Sequence, residues 1–187
     1  HHLAGITDVP RVKSESNNEH EKKIKKVAEE GTQNILDAIN DKCKIIMPSS
    51  HVVYEGIEKV KNDIREDEKT SPVLSYSKSK DFNEKQLKAS GKNYIILRLG
   101  SVYGYSTDTA RIDIMTNFFS KMASQNGTLR LFAGGIQVKS LVPLIDVARC
   151  FKFMEERKDL SSDTFNLTKD TVTVKEVAEI CKKHNPK

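Results

Sequence analysis

The chain has 187 residues, with 31 Lys and Arg against 26 Asp and Glu, a formal net charge of +5 and 37% hydrophobic residues. This is the size of one domain or slightly more, with a real core, and its charges are mixed rather than gathered into the basic stripe that nucleic-acid binding needs. Cys43, Cys150 and Cys181 are far apart and match no zinc spacing, which points to reduced thiols in a cytoplasmic protein without a metal, and no apolar run approaches the ~18 residues of a membrane span.

In chain order, Ile24, Val27, Ala28, Ile35 and Ile39 recur mostly at helical intervals among Lys and Glu, predicting an amphipathic helix over 20–39. Lys44-Ile45-Ile46-Met47 reads as a buried strand ended by Pro48, and the polar stretch 55–71 as a surface segment ended by Pro72. A helix follows over 76–89, with Ser90-Gly91 as its C-cap signal, and then a strand over 94–99. The helix predicted over 112–122 puts Met115, Phe118, Phe119 and Met122 on one face, read as core. Beyond Gly127, residues 129–132 read as a strand, Gly134-Gly135 as a turn, and 140–144 as a strand leading into a helix over 147–154 that Asp146 is placed to cap. Phe165-Asn166-Leu167 is a short strand, and the last helix opens with Thr173 and Glu176 in capping-box positions. Alternating strands and helices predict an α/β fold with a parallel sheet.

On this frame, Tyr76 and Lys80 are four residues apart and share a helix face. An ammonium held beside a phenol favours the phenolate and brings a tyrosine towards the range useful to an acid/base catalyst. A serine hydroxyl delivered from the strand end Pro48-Ser49-Ser50 can hydrogen-bond the same substrate oxygen. These are the groups needed to move a proton at an alcohol or carbonyl while a nicotinamide exchanges hydride. In so lysine-rich a chain the Tyr-x-x-x-Lys pair alone fits a solvated helix face equally well, so its surroundings decide. His51 reads as packed or solvent-facing, His20 and His184 as surface residues, and Cys150 and Cys181 as packing residues on apolar helix faces.

Motifs surround the pair in a fixed order: His2-Leu3-Ala4-Gly5, Gly31-Thr32, Ser49-Ser50-His51-Val52-Val53-Tyr54, and Tyr76-Ser77-Lys78-Ser79-Lys80 followed by Glu84. Arg98-Leu99-Gly100-Ser101-Val102-Tyr103-Gly104, the segment from Val138 to Ala148, and Phe165-Asn166-Leu167 complete the series. With them the chain closely resembles the extended short-chain dehydrogenase/reductase family, in its NAD-dependent nucleotide-sugar epimerase/dehydratase group.

The resemblance implies a Rossmann-like parallel sheet, with a partial dinucleotide-binding domain over 1–104 and 138–160 and a small substrate-binding region over 105–137 and 161–187. Tyr76 would be the acid/base, Lys80 would lower its pKa and hold the nicotinamide ribose, and Ser50 would hold the reacting oxygen. Leu3, Ala4, Gly5, Ser49 and Gly100 would line an NAD or NADP site, and Ser101 and Lys139 would meet the sugar and its diphosphate. Tyr103 and Tyr105 would flank the substrate loop at Gly104. Helices near 21–39 and 78–89 would form the bundle of a homodimer. The implied activity is epimerisation or oxidoreduction of a nucleotide-linked sugar; the alternatives are a non-catalytic binding protein of the same fold, or a reductase of a non-nucleotide carbonyl. Ser50, Tyr76 and Lys80 occurring together favour the enzyme.

Departures from the family pattern are informative. No G-x-G-x-x-G or G-x-x-G-x-x-G turn occurs, so the βαβ unit that cradles the cofactor pyrophosphate is absent from this chain. The expectation is a piece of a longer protein, beginning inside the family's fourth strand and interrupted at Lys187 within the substrate region. Ser101 stands for a common asparagine, Ala28 for a frequent one, and Lys139 for an arginine, a point charge in place of a bidentate clamp. His51-Val52 replaces the Asp-Glu pair of sugar dehydratases, which argues against a 4,6-dehydratase.

Overall fold

The computed structural model describes residues 1–6, 18–61, 63–107 and 111–184; Lys187, where an interruption was expected, lies outside them. The chain forms two compact units, one of His1–Arg98 with Phe151–Asn166 and the other of Leu99–Cys150 with Leu167–Lys187.

In the first unit, helix α1 (Asn18–Ala38) precedes strand β1 (Lys44–Ser50), a 3-10 turn (His51–Tyr54), helix α2 (Ser75–Ala89) and strand β2 (Asn93–Leu99). Strand β5 (Asp163–Leu167) follows helix α4 (Leu144–Glu156), and the sheet runs β1-β2-β5. Its strands are parallel, as expected. Ile95, Ile96 and Leu97 are fully buried, because a parallel strand covered on both faces reads as a continuous apolar run. Leu36 of α1, Ile45 and Met47 of β1, Leu87 of α2 and Ile96 of β2 form one core cluster. Strand β1 does not stop at Pro48 but continues to Ser50, since proline removes a donor without preventing an extended path. The expected end of α2 is found: Gly91 has φ +70, the left-handed geometry of a helix C-cap glycine.

The start of α2 uses a residue that the local pattern does not reveal. Leu74, its N-cap, offers no side-chain hydrogen bond. Glu55 instead accepts from the Val73 and Leu74 amides at 2.8 and 2.7 Å and from the Ser77 hydroxyl, placing a carboxylate at the positive end of the helix. Nearby, Gly56 donates to the Ser71 carbonyl at 2.8 Å. Helices α1 and α2 are joined by Asn83, which donates to the Ala28 carbonyl and to Thr32 Oγ1, both at 2.8 Å. What position 28 supplies is thus its carbonyl.

The second unit holds a small mixed sheet. Strands β3 (Ser101–Tyr103), β4 (Val138–Pro143) and β6 (Asp170–Thr173) form a separate sheet in the order β3-β4-β6. Strand β3 is parallel to β4, with Ser101 opposite Leu141, whereas β6 is antiparallel, with Lys139 opposite Val172. Strands this short leave little periodicity to read. Helices α3 (Met115–Ser124) and α5 (Val174–His184) pack Phe119, Val177 and Ala178 with Leu141 as the core, joined by Met115, Tyr103 and Cys181. Phe118, expected on the same face as Phe119, is 42% exposed.

Residues 129–132 are not a strand. Leu129 and Leu131 pack on the core and lead into a 3-10 turn (Phe132–Gly135) with positive φ at Ala133, Gly134 and Gly135. Gly135 is required there, because a Cβ would lie 2.9 Å from the Lys175 amide nitrogen. Helix α4 begins at Leu144, so Asp146 sits in its first turn rather than capping it. The Lys169 ammonium, at 3.3 Å, and the Arg149 guanidinium hold the Asp146 carboxyl below its ordinary range. The capping box of α5 forms as expected: Glu176 Oε2 accepts from the Thr173 amide at 2.6 Å, and Thr173 Oγ1 accepts from the Glu176 amide at 3.2 Å.

Candidate active site

Two elements of the first unit carry the expected catalytic groups. Strand β1 ends in Pro48, Ser49 and Ser50, and Ser50 is its last extended residue (φ −148, ψ 147). The Ser50 Oγ accepts from the Val52 amide at 3.4 Å, opening the 3-10 turn. That bond engages a lone pair of the hydroxyl and not its O–H. Helix α2, which packs on β1 and on this turn, carries Tyr76 in its first turn and Lys80 in its second.

Lys80 joins the two elements. Its Nζ lies 5.7 Å from the centroid of the Tyr76 ring and donates to the Pro48 carbonyl at 3.0 Å. Burial pushes its pKa below the ordinary value, and the Glu84 carboxylate, a smaller effect, pushes it back up. Among the described residues the Pro48 oxygen is its one hydrogen-bond acceptor, and an ammonium has three donors.

The N-terminal segment passes alongside. The His2 amide donates to the Ile46 carbonyl at 3.0 Å, holding this segment against β1, and His2 Nε2 is 2.9 Å from Thr32 Oγ1. Leu3, Ala4 and Gly5 are exposed, and a Cβ on Gly5 would lie 4.0 Å from Lys80 Nζ. The His2 pKa is lowered, first by burial and then by the Lys80 charge. Its Nδ1 is buried and has no hydrogen-bond partner among the described residues.

Under the lysine lies a network that motif reading left without a role. Glu84 and Arg98, each 2% exposed, are joined at 2.6 Å, and Ser49 Oγ donates to Glu84 at 2.5 Å. The Arg98 guanidinium also donates to the Tyr54 hydroxyl and lies over its ring at 5.0 Å. A glutamate four residues after Lys80 on an amphipathic helix was the visible signal; the arginine that answers it comes from strand β2.

Gly100, Ser101 and Lys139 belong to the second unit. The Gly100 amide donates to the Leu167 carbonyl at 2.9 Å, and a Cβ there would come within 2.9 Å of the Ser140 oxygen, so only glycine fits. Ser101 opens β3 and Lys139 lies on the neighbouring β4; both are half-buried. Tyr103 packs on the second core, whereas Tyr105 is 85% exposed.

Comparison with known proteins identifies the family. The family model described as the RmlD substrate binding domain matches residues 1–184. No curated protein matches. Among solved structures, the UDP-glucose 4-epimerase of Thermotoga maritima, with UDP-glucose, superposes with a TM-score of 0.76 at 22% identity over 90% of this chain and 56% of its own. The UDP-N-acetylglucosamine 4-epimerase of Methanobrevibacter ruminantium, in complex with UDP-N-acetylmuramic acid, gives a TM-score of 0.79 at 21% identity over 97% of this chain and 58% of its own. WbmG of Bordetella bronchiseptica, in complex with NAD and UDP, gives 0.78 at 17% identity over 98% and 55%. The chain thus spans little more than half the length of these structures, and at such identities they establish a shared fold. The family match covers nearly the whole chain: it belongs to the RmlD substrate binding domain family, within the extended short-chain dehydrogenase/reductase proteins of the nucleotide-sugar epimerase/dehydratase type.

Proposed function

We propose that this chain carries the acid/base half of an NAD(P)-dependent enzyme that epimerises or oxidises a nucleotide-linked sugar. The observation that supports it most is Lys80, whose ammonium reaches both the Tyr76 ring, at 5.7 Å, and the strand that ends in Ser50. Solved structures of the same fold hold NAD with UDP, or UDP-glucose.

The residues present suit a dinucleotide. A largely buried ammonium with donors beyond its bond to Pro48 is matched to ribose hydroxyls, and the nearby Gly5 lets backbone approach without a side chain. Leu3, Ala4, Gly5, Ser49, Tyr76, Lys80 and Gly100 would hold the group, which when bound supplies hydride chemistry. Tyr76 then takes the proton from the sugar hydroxyl or returns it to the carbonyl. Lys80 favours the phenolate that receives that proton. Ser50, with its O–H not engaged by the Val52 contact, donates to the reacting oxygen and holds it at a fixed position beside Tyr76. Ser101 and Lys139 serve the sugar and its diphosphate, Lys139 as a point charge.

We assign 1–104 with 138–160 to dinucleotide binding and 105–137 with 161–187 to substrate binding, in a cytoplasmic homodimer that meets through α1 and α2. Val27 and Phe82 on those helices are each 39% exposed, apolar area available to a second copy. The decisive experiment mixes the full-length protein with NAD or NADP and a panel of UDP-sugars and follows nicotinamide absorbance and product sugar. Conversion of at least one sugar, strongly reduced in Tyr76→Phe, is expected; no change with either cofactor and any sugar overturns the reading.

A further inference from the structure

The Glu84–Arg98 pair is more elaborate than helix packing requires. Arg98 Nη2 and Nε reach the Glu84 carboxylate at 2.6 and 3.0 Å, and Lys88 Nζ stands 3.7 Å from it. The remaining guanidinium nitrogen donates to the Tyr54 hydroxyl and, at 3.0 Å, to the Glu66 carbonyl. Burying such charges is costly, and an apolar pair would hold helix to strand as well or better. The connections point elsewhere, because they lead to segments that flank the candidate site. Glu84 lies one helical turn beyond Lys80. Ser49, whose hydroxyl it accepts at 2.5 Å, is covalently joined to Ser50. Tyr54 ends the turn that Ser50 opens.

We propose that Glu84 is a positioning residue, locking the strand end 48–50 onto helix α2 through Ser49 and Arg98, so that the Ser50 hydroxyl keeps a fixed place relative to Tyr76 and Lys80. This rests on the reading of Ser50, Tyr76 and Lys80 as the reacting groups, which Glu84 itself does not join. A second consequence concerns charge. Among the described residues, the groups facing the Lys80 ammonium are Tyr76 and Glu84 from its own helix, His2 from the N-terminal segment and, from β1, the uncharged Pro48 carbonyl. Glu84 is the anion of that set, opposing the burial that favours the neutral amine.

The test uses the whole chain and reads NMR signals rather than turnover. Ser49→Ala keeps the ion pair, so folding is retained. Amide hydrogen exchange at Ser50 and its neighbours in the turn is expected to quicken by about tenfold, the loss of one charge-assisted hydrogen bond, while the Lys80 titration stays in place. Glu84→Gln is expected to quicken exchange at the same amides; should that variant not fold, Ser49→Ala decides alone. Unchanged exchange at Ser50 in folded Ser49→Ala overturns the proposal, as does a rise spread evenly over β1 and α2, which marks general destabilisation. Unchanged exchange there in folded Glu84→Gln also overturns it. Neither readout needs cofactor or substrate, so failure here is distinct from failure to convert any sugar.

Discussion

The Lys80 ammonium donates to the carbonyl of Pro48 at 3.0 Å, two residues before Ser50. The lysine therefore does more than sit one turn below Tyr76. It ties the helix that carries the phenol to the strand that carries the hydroxyl.

Tyr76→Phe removes the proton carrier while keeping the ring that packs near Lys80. Turnover is expected to fall by roughly 10²–10⁴-fold, the usual contribution of a positioned acid/base, with cofactor affinity within a few-fold of wild type. Steady-state kinetics together with a cofactor titration checks this, and undiminished turnover refutes the assignment.

Lys80→Met tests the lysine twice. Both turnover and cofactor binding are expected to weaken; a loss confined to substrate affinity contradicts the ribose contact. The second readout is pH. Because burial lowers the native pKa of Lys80 below the ordinary 10.5, the unfolded chain binds the extra proton between the two values. Wild-type stability relative to Lys80→Met is therefore expected to rise with pH across that window and to level off above 10.5. Urea unfolding at several alkaline pH values measures it, and a slope of the opposite sign excludes a buried, destabilised ammonium.

Glu55→Ala removes the acceptor for the Val73 and Leu74 amides and the Ser77 hydroxyl at the start of α2. Losing a cap costs about 0.5–2 kcal/mol, and the change falls on the turn that carries Tyr76. A lower Tm with faster amide exchange confined to the first turn of α2 is expected; a variant as stable as wild type shows that the cap is dispensable.

Gly56→Ala places a methyl 2.6 Å from the Ser71 carbonyl oxygen and 2.8 Å from Val73 Cγ2. The amide of Gly56 already bonds that oxygen at 2.8 Å, so the two strands of loop cannot part without losing it. A destabilisation of about 1–3 kcal/mol is expected, read as a shift in the urea midpoint. An unchanged midpoint means that the loop yields freely.

Much of the first unit was legible along the chain, because its signals are local. The apolar run at 94–99, the helical spacing from Ile24 to Ile39 and the Gly91 stop each depend on residues near in sequence, and each element appears with ends within a few residues. The candidate site was legible for a different reason. Tyr76 and Lys80 share a helix face by spacing alone, and Pro48-Ser49-Ser50 announces itself as a strand end. What failed lies mostly in the second unit. Strands β3 and β6 are too short to show a period, and residues 129–132 carry a strand-like alternation that serves to pack Leu129 and Leu131 on the core of that unit.

The amino-acid order by itself determined the family, the α/β class and which helix would bear a phenol and an amine, since motif order and helical period are properties of neighbours. Only the tertiary structure decided that Lys80 answers the Pro48 carbonyl, that Glu55 caps α2 from 19 residues away, and that Glu84 finds Arg98 and Ser49 on two different strands. Hydrogen bonds between polar groups depend on distance in space, and folding brings together residues whose separation along the chain carries no trace of the contact.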